Sequence, residues 1–360
     1  MSSLDLDGLR KDLFVHLQRG SLGSLDNRTD HKEHSLSFLA HGEANVIFRL
    51  NQQQIVRVAV NTPNQRFGGD FSLLTSFEQA ILDYIQGTGI GHELQFAQSQ
   101  PAPDFPYTYL ITNYLVGEPL NYSRAHLRQC AETLAHLHRL PLSARYDVAQ
   151  LSPPVPVIDQ PLELFYQESK EYAQPYLDSA EADPAIAQMI QALLAKARSR
   201  LGLAHLLTRY PHRCLVHSDH TYENWVINDQ HAYLIDWEWA EIGSPAGDLG
   251  HFLSPVTICR RQGYALPPEN RAFFLQCYYD ALADKQLATA IKHHFAAFGP
   301  FPAVRSLCWT AGYWITARRW YAEANNDSAI ERIRRLQESH DQFKDLCEAV
   351  MAWLDEGVTT

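Results

Sequence analysis

Leu215-Val216-His217-Ser218-Asp219-His220-Thr221-Tyr222-Glu223-Asn224, followed by Ile235-Asp236-Trp237-Glu238, is the stretch on which the reading of this chain turns. Apolar residues precede Asp219 and follow Asn224, so the polar groups belong to a loop anchored at both ends by buried backbone. Turn residues at 228–230 send the chain back and put Asp236 at the end of the returning strand. Three oxygen-bearing side chains, those of Asp219, Asn224 and Asp236, are therefore expected to converge.

Working outward, the period of the apolar residues changes along the chain. Leu6, Leu9, Leu13 and Leu17 form an amphipathic helical stripe, and a polar connector follows. Residues 46–50 and 55–60 are β-branched runs separated by Asn51-Gln52-Gln53-Gln54, a hairpin pattern. Leu74, Phe77, Ile81 and Ile85 recur at helical spacing, and Gly87-Thr88-Gly89 stops that helix. Because Gly87-Thr88-Gly89-Ile90-Gly91 follows a helix and not a strand, it is a stop signal and not a dinucleotide loop. Strand-like runs at 92–97 and 107–113 come next.

From there the pattern is mostly helical. Leu127, Cys130, Ala131, Leu134 and Leu137 mark a helix that Ser123 or Asn121 caps. A proline-rich linker (141–161) leads to helical segments near 160–174 and 184–207. Short strands at 225–228 and 232–236 interrupt them, and helices resume from Ala246, with breaks at Gly299-Pro300 and Asn325-Asn326. Strands early and helices late predict a two-lobed α+β fold, with a small β-rich N-lobe and a larger helical C-lobe. The expected division is an N-terminal helical extension at 1–35, an N-lobe at 36–115 and a C-lobe at 116–360.

Composition excludes several classes. The 360 residues are 46% hydrophobic and 20% charged, an ordinary globular balance with room for two lobes. The net charge of -11 and the lack of any Lys/Arg run argue against nucleic acid as a partner. Six isolated cysteines without a CxxC pair suit reduced thiols in a cytoplasmic protein. The first ten residues do not read as a signal peptide, and no apolar run is long enough to span a membrane. His205, His212, His217 and His220 lack the spacing of a transition-metal site, and neither a P-loop nor a G-x-S-x-G elbow occurs.

The chemistry that needs two carboxylates and an amide in one small volume is phosphoryl transfer. One carboxylate orients or accepts the hydroxyl proton; the other, with the amide oxygen, holds the magnesium that neutralises the phosphates. The spacing here matches the H-x-D-x-x-x-x-N catalytic loop of protein kinases with a metal-binding Asp further on. From about residue 38 to 253, and most strongly from 215 to 250, the chain resembles the aminoglycoside phosphotransferase and choline kinase family, whose protein-kinase-like fold is two-lobed. That resemblance implies Asp219 as catalytic base, Asn224 and Asp236 as metal ligands, His217 as a brace of the catalytic loop, and Asp248 as the downstream carboxylate that stabilises it. The wording of residues 235–240 is most similar to bacterial choline- and thiamine-type kinases.

The nucleotide grip has an independent physical argument. Glu78 lies on the apolar stripe of its helix, and Arg57 lies between Val56 and Val58 in an apolar strand. Each buried charge costs several kcal/mol unless paired, so the two are expected to satisfy one another and leave Arg57 toward the phosphates of ATP. Residues 39–45, including Gly42 and Asn45, read equally as a plain hairpin turn, and the resemblance, whose family has a glycine-poor loop here, implies a phosphate-covering loop. Residues 110–115, including Asn113 and Leu115, lie where backbone groups would bind adenine. Substrate-site candidates are Trp237, Glu238, Tyr222 and His220 near the loop, and Trp309, whose stripe with Tyr313, Trp314, Trp320 and Tyr321 reads first as core and second as a cation–π surface.

The expected function is an ATP- and Mg²⁺-dependent kinase acting on a small-molecule hydroxyl, with cationic acceptors among the candidates. A protein Ser/Thr kinase is the alternative, disfavoured by the missing Ala-Pro-Glu segment and the short stretch after Asp236. A catalytically silent nucleotide-binding scaffold is the third reading. Acceptor identity, ATP against GTP preference and oligomeric state carry no signal in the sequence.

Overall fold

A computed structural model describes residues 4–19, 35–42, 44–62, 64–142, 154–261, 263–324 and 340–356. The polar connector, most of the proline-rich linker and the Asn325-Asn326 break lie outside them, as do the side chains of Trp320 and Tyr321. The chain divides into two compact units. The first is Met1–Glu118, Leu142–Val155 and Val226–Ala240; the second is Pro119–Pro141, Pro156–Trp225 and Glu241–Thr360.

The first unit is built on an antiparallel sheet of β1 (Leu36–His41), β2 (Asn45–Leu50), β3 (Gln54–Ala59), β4 (Leu94–Gln98) and β5 (Tyr109–Asn113), in the order β1-β2-β3-β5-β4. Strand alternation sends Val46, Phe48, Leu50, Val56, Val58, Tyr109 and Ile111 to one face. There they bury against Leu9, Leu13 and Leu17 of α1 (Leu6–Arg19). Each fully buried leucine contributes roughly 2 kcal/mol, so the N-terminal helix is an integral part of this unit's core.

The same alternation turns Arg57 to the opposite face, toward α2 (Phe71–Ile85). Asp70 caps that helix by accepting from Ser72 N at 2.8 Å and Leu73 N at 3.3 Å. Gly87, at φ 73°, ends it in the left-handed region where a side chain would be strained. Residues 39–41 belong to β1 and Asn45 to β2, so the expected phosphate loop is a tight hairpin turn in which Gly42 N donates to Asn45 O at 2.9 Å. The segment 226–240 joins this unit through a parallel bridge of Gly91 with Leu234. A Cβ at Gly91 would sit 2.8 Å from Leu234 O, so only glycine permits this approach.

The second unit is mostly helical. Its elements are α3 (Arg124–Arg139), α4 (Pro161–Leu177), α5 (Pro184–Ser199), α6 (His205–Arg209), α7 (Pro245–Phe252), α8 (Pro255–Cys259), α9 (Pro268–Ala281), α10 (Lys285–Phe298), α11 (Phe301–Ala324) and α12 (Phe343–Asp355). Ser123 caps α3 by accepting from His126 N at 3.3 Å, while Asn121 Oδ1 accepts from Ser123 N at 2.9 Å. Two short strands, β6 (Cys214–Val216) and β9 (Glu241–Gly243), pair antiparallel and were not evident as a pair in the sequence. The hairpin β7 (Trp225–Ile227) and β8 (Ala232–Leu234), which apart from Trp225 belongs to the first unit, turns on Asn228, whose Oδ1 accepts from Gln230 N and His231 N, both at 2.9 Å. All six cysteines are free thiols, four of them buried. No helix among the described residues is long and apolar enough to cross a membrane.

Candidate active site

In the second unit the loop after β6 is organised by one buried carboxylate. Asp248 stands in the first turn of α7, whose N-cap is Ser244 and whose first residue is Pro245. Its Oδ2 accepts from His217 N at 3.0 Å and lies 3.0 Å from His138 Nε2; its Oδ1 accepts from Ser218 N at 2.8 Å and lies 2.9 Å from His220 Nε2. Burial alone would raise this carboxyl, but His220 and His138 outweigh it and hold Asp248 well below the usual carboxylate range. The two backbone bonds also explain how Ser218 tolerates φ 67°, a conformation that costs a non-glycine residue about 1 kcal/mol or more. His138 extends the network to the Tyr278 hydroxyl at 2.8 Å.

Beyond that strained residue stands Asp219. Its N–H donates to His217 Nδ1 at 3.3 Å, and its Oδ2 accepts from Asn224 Nδ2 at 2.9 Å. Asn224 Nδ2 donates also to Asp219 O at 3.1 Å, which orients the amide and turns Oδ1 away as an acceptor. Asp219 Oδ1 lies 4.0 Å from His251 Nε2, and the Asp219 side chain is 30% exposed while Asp248 is fully buried. The structure thus brings together Asp219, Asn224, His217 and Asp248.

In the first unit, Arg57 Nη2 lies 2.7 Å from Glu78 Oε1 and 2.9 Å from Asp236 Oδ1. Burial opposes the Arg57 charge, but Glu78, Asp236 and Glu238 together outweigh it and raise its pKa. Burial pushes the Glu78 carboxyl up to about 7 against the pull of Arg57. Asp236 is held at φ 70°, two residues past the end of β8, and its side chain is 39% exposed. His92 sits close by, lowered to about 4 by burial and by the Arg57 charge, with Nδ1 bonded to Asn113 O at 2.9 Å.

Several expected contacts differ. Trp237 and His220 were expected to face a substrate, yet both side chains are fully buried. Trp237 packs near Gly91, and His220 braces Asp248. Glu238 is also buried, and its carbonyl accepts from Asn64 Nδ2 at 3.1 Å. The Asn113 amide oxygen accepts from Glu93 N at 2.8 Å, and with its carbonyl on His92 both acceptors are engaged within the unit. Tyr222 and Leu115 are half-buried. Trp309 is no core residue: it is 46% exposed and stacked on Tyr313 at 4.9 Å. The sequence reading missed His138 and His251. Only the i, i+3 spacing of Asp248 and His251 on one helix face could have pointed to the latter.

The pattern of the APH phosphotransferase enzyme family matches residues 35–276. No curated protein matches the chain. Among solved structures, the gentamicin complex of the aminoglycoside phosphotransferase APH(2")-IIa is similar over 99% of this chain and 98% of its own, at 15% identity and a TM-score of 0.53. The GDP complex of aminoglycoside 2'-phosphotransferase-IIIa is similar over 93% and 98%, at 15% identity and 0.56. An ethanolamine kinase of Plasmodium vivax is similar over 93% and 90%, at 13% identity and 0.56. Fold and sequence pattern define the class, a small-molecule kinase on the protein-kinase-like α+β fold. The chain belongs to the APH phosphotransferase enzyme family.

Proposed function

We propose that this phosphotransferase moves the γ-phosphoryl group of ATP, with Mg²⁺, onto a hydroxyl of a small molecule, cationic compounds being the first acceptors to try. The observation that carries the reading is the posture of Asp219. One carboxylate oxygen accepts from Asn224, the other lies 4.0 Å from His251 Nε2 without a direct hydrogen bond to it, and the side chain is 30% exposed, which suits a base for an incoming hydroxyl. The acceptor oxygen bonds to the γ-phosphorus as the bond to the ADP oxygen breaks, and the hydroxyl proton passes to Asp219 Oδ1. His217 and Asp248 hold the loop during this step, so catalysis rests on positioning and electrostatics.

Asn224 Oδ1 and the Asp236 carboxylate are hard oxygen donors of the kind magnesium takes, and the amide orientation at Asn224 fits that role. When bound, the cation would neutralise phosphate charge. Arg57, whose Nε has no partner among the described residues, is the proposed phosphate contact, with Glu78 holding it in place. Residues 36–115 are the proposed nucleotide lobe, with Gly42 and Asn45 at the turn and the backbone at Leu115 toward adenine, the backbone of Asn113 being engaged by His92 and Glu93. Residues 116–360 are proposed to carry the acceptor, with Tyr222 and exposed Trp309 as ring surfaces worth about 0.5–2 kcal/mol toward a cation. Small acceptors are favoured by the short path from Asp236 to α7, which holds only β9 and its turns and so lacks room for a peptide platform.

The test is ATP consumption over a panel of choline, ethanolamine, thiamine, homoserine, sugars and aminoglycosides. Asp219→Ala is expected to abolish transfer while ATP still raises the melting temperature. Undiminished turnover in that variant would sink the assignment.

A further inference from the structure

We infer that His251 is an acceptor-positioning residue whose Nε2–H and the Oδ1 of Asp219 together clamp the hydroxyl to be phosphorylated. The inference rests on Asp219 being the base. His251 follows Asp248 by three residues on α7, so the helix that organises the catalytic loop also presents the His251 ring to it. His220 N donates to His251 Nδ1 at 2.9 Å. A neutral ring accepting at Nδ1 carries its proton on Nε2, so the tautomer is set by backbone geometry.

That Nε2 lies 4.0 Å from Asp219 Oδ1, too far for a direct hydrogen bond. The gap instead fits one oxygen. An atom about 2.8 Å from both would subtend roughly 90°, about 20° below the tetrahedral angle between an O–H bond and a lone pair and within the bend a hydrogen bond tolerates. A hydroxyl seated there accepts from His251 Nε2–H, donates to Asp219 Oδ1, and keeps a second lone pair for attack. Asp219 cannot supply both contacts, because a carboxylate only accepts hydrogen bonds and has no proton to donate to the hydroxyl oxygen.

Exposure agrees with this role. The His251 side chain is 18% exposed, whereas His138, His220 and Asp248 are sealed. Burial, then the neighbouring charges of His220, Arg305 and Arg260, lower His251 to about 3 against the opposing pull of Asp248. The ring therefore stays neutral and does not compete for the transferred proton. In the reaction His251 keeps its proton throughout. The hydroxyl proton goes to Asp219, the new O–P bond forms, and ADP departs.

The experiment compares His251→Asn and His251→Gln with Asp219→Asn in the full chain. It follows MgATP turnover with water as acceptor and with whichever panel compound is phosphorylated. An asparagine oxygen can replace Nδ1 toward His220 N–H but leaves nothing at the Nε2 position, whereas a glutamine amide reaches that position. The expected result for His251→Asn is a melting temperature close to wild type, a roughly 10- to 100-fold fall in turnover with both acceptors and an unchanged KM for ATP. His251→Gln should recover a large part of that loss. Wild-type turnover in His251→Asn beside an inactive Asp219→Asn overturns the clamp and leaves the base assignment standing. Equal losses in both His251 variants reduce His251 to a brace for His220 and also overturn it. Turnover in Asp219→Asn removes the base assignment and the clamp with it.

Discussion

Each unit is organised around one buried ion, and the two ions are neutralised in opposite ways. In the second unit the anion Asp248 is met by four nitrogen groups, two of them backbone, and none of its surroundings is exposed. In the first unit the cation Arg57 lies between two carboxylates, Glu78 and Asp236, and Asp236 is well exposed. The first arrangement is closed: Asp248 and the rings of His138 and His220 are sealed from solvent, and the two backbone bonds fix a loop. The second is partly open: Asp236 is 39% exposed, although Arg57 is buried and its Nε has no hydrogen-bond partner among the described residues, and the proposed function would bring magnesium and phosphates to it. The difference is one of closure: Asp248 is sealed, whereas the Asp236 carboxylate reaches the surface.

The largest effect should come from opening the closed network. Asp248→Ala leaves two backbone N–H groups and the His138 imidazole without their acceptor and His220 without the carboxylate beside it, and should cost about 3–5 kcal/mol in urea unfolding, with loss of turnover. Arg57→Met should be milder in stability, about 1–3 kcal/mol, because Glu78, already near pKa 7, can neutralise itself by taking a proton. The loss should therefore be smaller at pH 6 than at pH 8, while the ATP-dependent thermal shift largely disappears. Equal losses at the two pH values would remove the distinction between the networks.

Acid should sharpen the contrast. In the second unit burial lowers His138 and His212, His251 to about 3 and His294 to about 4. Such a histidine stays neutral in the fold while the unfolded chain takes a proton below about pH 6.5. Its stabilisation is complete above that pH and falls by about 1 kcal/mol per unit as pH drops toward the folded value. In the first unit His92 behaves likewise, but Glu78 opposes it: a carboxyl raised to about 7 contributes most below its unfolded value and loses this as pH rises. From pH 7 to 5 the first unit should stay nearly balanced and the second should weaken. Hydrogen exchange corrected for intrinsic rates, comparing peptides of β3 and α2 with those of α3, α7 and α10, should show this order.

The smallest effect on stability is expected at Trp309. Trp309→Ala removes an exposed ring and should change unfolding by under about 0.5 kcal/mol. If Trp309 lines the acceptor site, the same variant should raise the acceptor KM several-fold and leave the KM for ATP alone.

Much of this was legible in the chain because it depends on local pattern. The change from period 2 to period 3.6 separates the sheet from the helices, and the apolar flanks of Asp219 and Asn224 mark an anchored loop. The Arg57–Glu78 pair was legible for a different reason: two charges on apolar stripes require each other wherever the strand and helix meet. Trp237 and His220 were misread as substrate-facing because nearness to the loop in sequence does not report which way a ring points. β6 and β9 escaped notice because three residues hold too little periodicity to register.

What the sequence alone determined was the order of elements, the family pattern, and the residue types on which the proposed chemistry rests. What only the tertiary structure decided was which groups are closed off and which remain open. Asp248 gathers its partners from 110 residues upstream to 30, and Arg57 reaches a carboxylate 179 residues away. Burial and the tautomer of His251 likewise come from contacts that the chain makes only once folded. Desolvation and hydrogen-bond direction are properties of a packed neighbourhood, and no spacing in the sequence encodes them by itself.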